Sequence, residues 1–355
     1  MWGKSIKVSL FGESHGEAVG INIEGLPSGL KLNLDFIAEE MKRRMPGKNI
    51  LSTSRKEMDI PEILSGYFEG YTTGTPLCAI IRNKDVRSRD YDELKNLMRP
   101  GHADYTGMMR YNGFNDYRGG GHFSGRLTAP LVFAGAICKQ VLAEKGIMVG
   151  AHVKSIKDIE DASFNEANLS HERLVALRKS ALPLLDQSKE SVMRQAILDA
   201  KLEGDSVGGV IECAILGIDA GIGEPFFDSV ESTLAHLAFS VPAVKGIEFG
   251  FGFELTKLYG SEANDTFYYA DDIIKTKTNR NGGILGGITT GMPIIFRCAI
   301  KPTPSILKEQ KTINLAEEKE TILQIKGRHD PCIVGRALPV IEAVAAIGIL
   351  DLIRR

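Results

Sequence analysis

The strand-like runs of this 355-residue chain alternate polar and apolar side chains, and that period constrains the fold more than any other feature. Ile6, Val8 and Leu10 alternate with Lys7 and Ser9, and Val19, Ile21 and Ile23 repeat the pattern after a turn bracketed by Gly12 and Gly16. One apolar face per strand suits an antiparallel sheet covered on one side. Strands of a parallel sheet are covered on both and read as unbroken apolar runs. Further strand-like runs occupy 77–82, 148–156, 207–216, 246–255 and 292–301. Helices fit between them. Asn33 caps a helix over 34–45 that stops at Pro46-Gly47, and Ser124 caps a long one to about residue 145. An amphipathic stretch covers 188–203, Asp228 and Glu231 form a capping box for a helix to 240, and apolar spacing predicts a last helix over 336–353. The strand-helix-strand rhythm of a doubly wound sheet is missing. The pattern predicts an α+β fold in one domain spanning 1–355.

Composition removes several function classes. With 43% hydrophobic and 25% charged residues the chain reads as an ordinary soluble globular protein. A net charge of −2 leaves no global basic field for nucleic acid. Cys78, Cys138, Cys213, Cys298 and Cys332 are scattered and never form Cys-x-x-Cys, which argues against a metal site or a disulfide framework and fits buried thiols in a reducing cytoplasm. The N-terminus lacks the apolar core of a signal peptide. No membrane span is expected, because no apolar run approaches roughly 18 residues. The longest, 127–138, reads as a buried helix. Neither a dinucleotide fingerprint nor a Walker A sequence is present.

Residues Gly12-Glu13-Ser14-His15-Gly16 admit two incompatible chemistries. As Gly-x-Ser-x-Gly they spell a nucleophile elbow, which would make the chain a serine hydrolase using Ser14. That elbow is a strand-turn-helix, and the residues after Gly16 alternate like a strand. The other reading makes His15 an acid catalyst held between glycines.

Cationic and histidine residues gather in five loops: Lys42 to Lys56, Arg99 to Thr106, Asp116 to Arg126, Lys301 to Ser305, and Lys326 to Cys332. In the third, Gly119-Gly120-Gly121 permits close backbone approach to a ligand, and the following helix N-terminus favours an anion. A solvated loop with a helix cap would explain that segment equally well. Five such loops in a near-neutral chain point to one cationic pocket for a polyanionic ligand.

Several of these strings, in order, resemble chorismate synthase. They are Gly-Glu-Ser-His-Gly at 12–16, Arg-Pro-Gly-His-Ala-Asp-Tyr-Thr at 99–106, Asp-Tyr-Arg-Gly-Gly-Gly-His-Phe-Ser-Gly-Arg at 116–126 and Gly-Arg-His-Asp-Pro-Cys at 327–332. Residues 282–287 and the Lys301-Pro302-Thr303 turn match as well. The resemblance implies a β-α-β sandwich with helices packed between largely antiparallel sheets. It implies an FMN-dependent lyase that converts 5-enolpyruvylshikimate 3-phosphate to chorismate and phosphate by 1,4-anti elimination, a step of aromatic amino acid biosynthesis. His15 would protonate the departing phosphate, His102 would meet the reduced flavin, and Asp330 would assist removal of the ring proton. Arg44, Lys48 and Arg126 would bind substrate anions or NADP. Flavin contacts would come from His122, Phe123, Ser124, Pro242, Ala243, Gly286, Lys301, Pro302, Thr303, Pro304, Ser305 and Arg328. Reduced FMN is the implied cofactor and NADPH the candidate reductant. A cytoplasmic homotetramer with no nucleic acid or membrane partner is the implied setting. The chain departs from the family at Pro242 (often Asn), His122-Phe123 (often Arg-Ser), Ile50 (often Arg) and Pro304 (often Ser).

Overall fold

The computed structural model describes residues 1–45, 58–84, 95–164, 169–325 and 329–354. Lys48, Ile50, Arg55, Lys56 and Arg328 lie outside the described residues.

Two antiparallel sheets carry the fold. The first is built from Lys7–Gly12, Ala18–Glu24, Leu77–Arg82 and Glu62–Ser65, in that spatial order. Its first two strands form the hairpin expected around the glycine-bracketed turn, with Leu10 opposite Ile21 and Gly12 opposite Val19. The second sheet orders Val244–Phe249, Ile294–Ile300, Gly209–Leu216, Met148–Ile156 and Ile159–Glu160. Between the sheets lie the helices Thr128–Ala143 and Val334–Ile353. The former touches strands of both sheets, and the latter packs on it and on the second sheet. Both are apolar on nearly every face because both are enclosed, and the charges they carry, Lys139 and Glu342 among them, are paired inside. This is the α+β arrangement of helices between antiparallel sheets. One apolar stretch does have the length and hydropathy of a membrane span, contrary to the sequence-based expectation; it includes Thr128–Ala143 and is 89% buried inside the fold.

Predicted elements hold in most places and shift where caps and glycines decide. Asn33 accepts from the Phe36 amide and opens Leu34–Arg44. The helix ending at Ser240 starts at Val230, capped by Ser229 rather than by a box at Asp228. The run 246–255 is strand only to Phe249, because Gly250 and Gly252 take left-handed φ of 56° and 54° and the chain turns into a 3₁₀ segment.

Two of the buried charge clusters lie within the core of the fold, away from the hairpin at His15. Glu40 and Glu342, each 1% exposed, face Arg43 and Lys139 between the helices. Arg43 grips the Glu342 carboxylate with two bonds of 2.6 and 2.7 Å, and the Ala151 amide adds a third of 3.1 Å. Arg43 is thus a core residue and not part of a cationic pocket. In the second sheet, His152 is fully buried between Asp161 (3.0 Å) and Glu212 (2.8 Å), with Phe164 edge-on at 4.5 Å. Burial alone would lower the His152 pKa; the hydrogen bonds and charges of the two carboxylates outweigh it and raise it. A raised folded-state pKa stabilises fully below the ordinary histidine value near 6.5 and is lost as pH climbs through the folded value. The stability gap between wild type and His152→Gln should therefore narrow in thermal melts as pH rises above about 6.5 and through the raised folded-state value. A gap that stays constant would count against this account.

Candidate active site

His15 sits in the turn of the first hairpin, 8% exposed. Ser14 donates its amide to the Gly121 carbonyl (3.1 Å), which joins this turn to the Gly119–Gly121 loop. All three glycines adopt positive φ, of 60°, 85° and 52°. A Cβ on Gly119 would lie 2.1 Å from the His15 ring, and one on Gly120 would lie 3.2 Å from the His102 ring. Two consecutive bare glycines thus separate the two histidines, one ring against each. Any side chain at 119 would displace His15 outright. The strand Ala18–Glu24 follows His15, so the strand-turn-helix of a nucleophile elbow is not what surrounds Ser14.

His102 is held by its neighbours in the same loop. Its Nδ1 lies 2.7 Å from Asp104 Oδ1, and Arg99 binds that carboxylate through Nε and Nη2 at 2.7 Å each. Burial would raise the Asp104 pKa, but hydrogen bonds from Arg99 and His102 hold it well below the usual carboxylate range. An ionised carboxylate can only accept, so His102 Nδ1 is the donor of this bond and carries a hydrogen. Arg99 Nη2 is also 3.1 Å from Nδ1; the shorter carboxylate contact decides the role of Nδ1. The loop is further tied to the strand Gln310–Asn314, whose Ile313 carbonyl accepts from the Met98 amide (3.3 Å). Near His15, Asp116 is held below its ordinary range by hydrogen bonds from Arg118, with the His15 charge adding to the effect.

The predicted flavin segments fall into two groups. His122 Nδ1 lies 2.9 Å from the Gly12 carbonyl, Phe123 covers Gly107 and leans on Tyr111, and Ser124 accepts from the Arg126 amide. Lys301 donates its Nζ to the Gly101 carbonyl beside His102, and its amide bonds the Ala243 carbonyl at 2.9 Å. Ala243 holds a left-handed φ of 75°, next to exposed Pro242. Pro302 lies by Gly208, the Thr303 carbonyl accepts from Ser206, Pro304 approaches Gly101, and Ser305 is 3.5 Å from Arg99. These residues surround the His102 loop. Gly286 belongs elsewhere: it turns the short hairpin from Ile284–Leu285 to Ile288–Thr289, and neighbouring Gly287 bonds the start of the helix at Val230.

Arg44 and Arg126 are not solvent-facing anion ligands. They are 3% and 6% exposed and both clasp Asp59, Arg44 through Nη1 at 2.6 Å and Arg126 through Nη1. Arg44 also donates to Thr128 Oγ1 and the Gly125 carbonyl. Asp330 pairs with Arg336, whose Nε donates to the Arg44 carbonyl at 3.1 Å. Arg44, Arg126 and Arg99, expected as free cations, thus already have carboxylate partners. Pattern reading missed the partners Asp59 and Asp104, and Arg336 as the partner of Asp330. Only Asp104 carried a local signal, lying two residues after His102.

Comparison with known proteins identifies this arrangement. The family model described as chorismate synthase matches residues 6–353. The chain belongs to the chorismate synthase family. A chorismate synthase of Thermococcus kodakarensis is 47% identical over 356 residues, covering 100% of this chain and 98% of that protein. Another, from Pyrococcus abyssi, is also 47% identical, over 99% of this chain and 96% of its own length. A crystal structure of a chorismate synthase superposes with a TM-score of 0.78 at 30% identity, covering 99% of this chain and 92% of that one. The motifs that drew attention to His15, His102 and Asp330 are thus motifs of a chorismate synthase family member.

Proposed function

We propose that this chain, as a single domain, converts 5-enolpyruvylshikimate 3-phosphate to chorismate and phosphate by 1,4-anti elimination and requires reduced FMN. The observation that carries the reading is the pair of histidines set against Gly119 and Gly120, one turn anchored by the other loop.

The elimination breaks a C–O bond to phosphate and a ring C–H bond, and forms a C=C bond. Its leaving group needs a proton, and its ring carbon must give one up. His15 is the proton donor to phosphate, a task for a group that titrates near neutrality. Asp330, oriented by Arg336, is the carboxylate that takes the ring proton onward. Reduced flavin, when bound, supplies the electron-rich ring system that lets the elimination proceed without net redox change. The residues suit that cofactor. Gly120 sets no side chain of its own against the His102 ring, Lys301 and Ser305 offer donors beside that loop, and His122 offers one at Gly12. Lys48 and Arg328 are the anion-binding pair, arginine being suited to bidentate contacts, while Arg44 and Arg126, clasped on Asp59, add positive charge to the site.

NADPH as reductant, a homotetramer and a cytoplasmic address belong to the same proposal. Exposed Phe226, Phe227, Phe253, Tyr259 and Tyr269 support the assembly, since side chains of this kind mark association surfaces.

The test is an anaerobic assay of phosphate and chorismate release with reduced FMN, oxidised FMN or neither. Turnover is expected with reduced FMN only, and turnover in either other arm would overturn the proposal. NADPH alone, compared with NADPH plus an added flavin reductase, identifies the reductant.

A further inference from the structure

Asn83 follows the strand Leu77–Arg82 and makes four hydrogen bonds. Its backbone amide bonds the Glu17 carbonyl at 3.0 Å. Its side-chain Nδ2 donates to the carbonyls of Glu13 (3.0 Å) and Gly16 (2.9 Å). Its Oδ1 accepts from Arg126 Nε at 2.9 Å. The two carbonyls bracket Ser14 and His15, so one amide group closes the His15 turn like a clasp. The amide orientation is unambiguous, because the reverse would set its oxygen against two carbonyl oxygens. Behind Asn83 stands a rigid support. Arg126 also bonds Asp59 and the Arg82 carbonyl (3.3 Å), and Asp59 is fixed on its other oxygen by Arg44. The Asp59 side chain is fully buried.

We propose that Asn83, anchored by Arg126 and Asp59, is a positioning residue for His15: its amide holds the 13–16 turn so that the imidazole keeps one placement against Gly119. The residue type is specific. Aspartate supplies no donors for the two carbonyls, and glutamine is one methylene too long to meet all three partners. A catalytic group misplaced by about 1 Å can lose on the order of 10²-fold in rate, so a loosened turn affects turnover more than ground-state binding.

The inference rests on the reading of His15 as the proton donor, and the experiment separates the two. Full turnover in His15→Ala would sink the reading of His15 itself. For Asn83, the reduced-FMN assay is run on Asn83→Ala and on the double variant with His15→Ala. Asn83→Ala should lower kcat ~10-fold or more with little change in KM, and the double variant should be no slower than His15→Ala alone. In parallel, the His15 ring resonance, assigned by its loss in His15→Ala, should shift or broaden in Asn83→Ala while the His152 resonance stays in place. Wild-type kcat, additive losses in the double variant, or an unmoved His15 resonance would each overturn the proposal. Asn83→Asp provides the same readouts if the alanine variant does not fold. It is isosteric, faces Arg126 favourably, and replaces the two donors by an oxygen that repels the Glu13 and Gly16 carbonyls.

Discussion

His15→Ala is expected to lower turnover with reduced FMN by ~10²-fold or more while leaving substrate affinity within a few-fold, the usual scale for losing a general acid. The environment of His15 explains why the loss should be large. The turn is held by Asn83, the ring lies against Gly119, and the group is nearly enclosed. Water cannot readily take the place of a proton donor in such a pocket. His102→Ala should cost a similar factor for a different reason. The Arg99–Asp104 pair would persist, but the ring it orients would be gone, so FMN affinity should weaken along with kcat. Steady-state kinetics and flavin titration on both variants check this. Wild-type rates in either would refute that histidine's role.

Glu342→Ala should destabilise the fold by ~3–5 kcal/mol, the range for breaking a buried ion pair by removing one partner. The substitution leaves Arg43 and Lys139 to share Glu40, with one buried positive charge uncompensated, and leaves the Ala151 amide without its acceptor. Burial would raise the Glu342 pKa, but the charges of Arg43 and Lys139 outweigh it and lower the value to about 2. With the folded pKa depressed, the stabilisation is present above the ordinary glutamate value and declines as pH falls toward about 2. Chemical denaturation of wild type and variant should therefore show a gap that is widest near neutral pH and shrinks in acid. A loss below about 1 kcal/mol at neutral pH would mean that the network is not held as described.

Much of this architecture was legible in the chain itself. Period-two alternation located the hairpin around His15 and implied antiparallel sheets, and cap residues such as Asn33 placed helix starts to within a few residues. What escaped was contact between distant segments. Arg44 and Arg126 looked like free cations because their shared partner, Asp59, lies 15 and 67 residues away in a stretch with no pattern of its own. Arg43 read as part of a cationic loop, yet its partner is 299 residues further on. Spacing rules report neighbours on one element; they are silent on which charges a fold will bring together. Gly286 shows the complementary limit. A glycine pair that matched a family motif could be named from the string, but the hairpin it turns, and the bond from the Val230 amide to Gly287, depended on the tertiary path.

Asp351 accepts from the amides of Lys4, Ser5 and Ile6 through a single carboxylate oxygen, at 2.9, 2.7 and 2.8 Å. The strand that leads into the His15 turn is thereby fastened by a residue of the helix Val334–Ile353. The hairpin and that helix are locked into one unit across 345 residues of sequence. Any opening of the helix loosens the strand before His15, so amide exchange at these three positions should rise together with exchange in the helix.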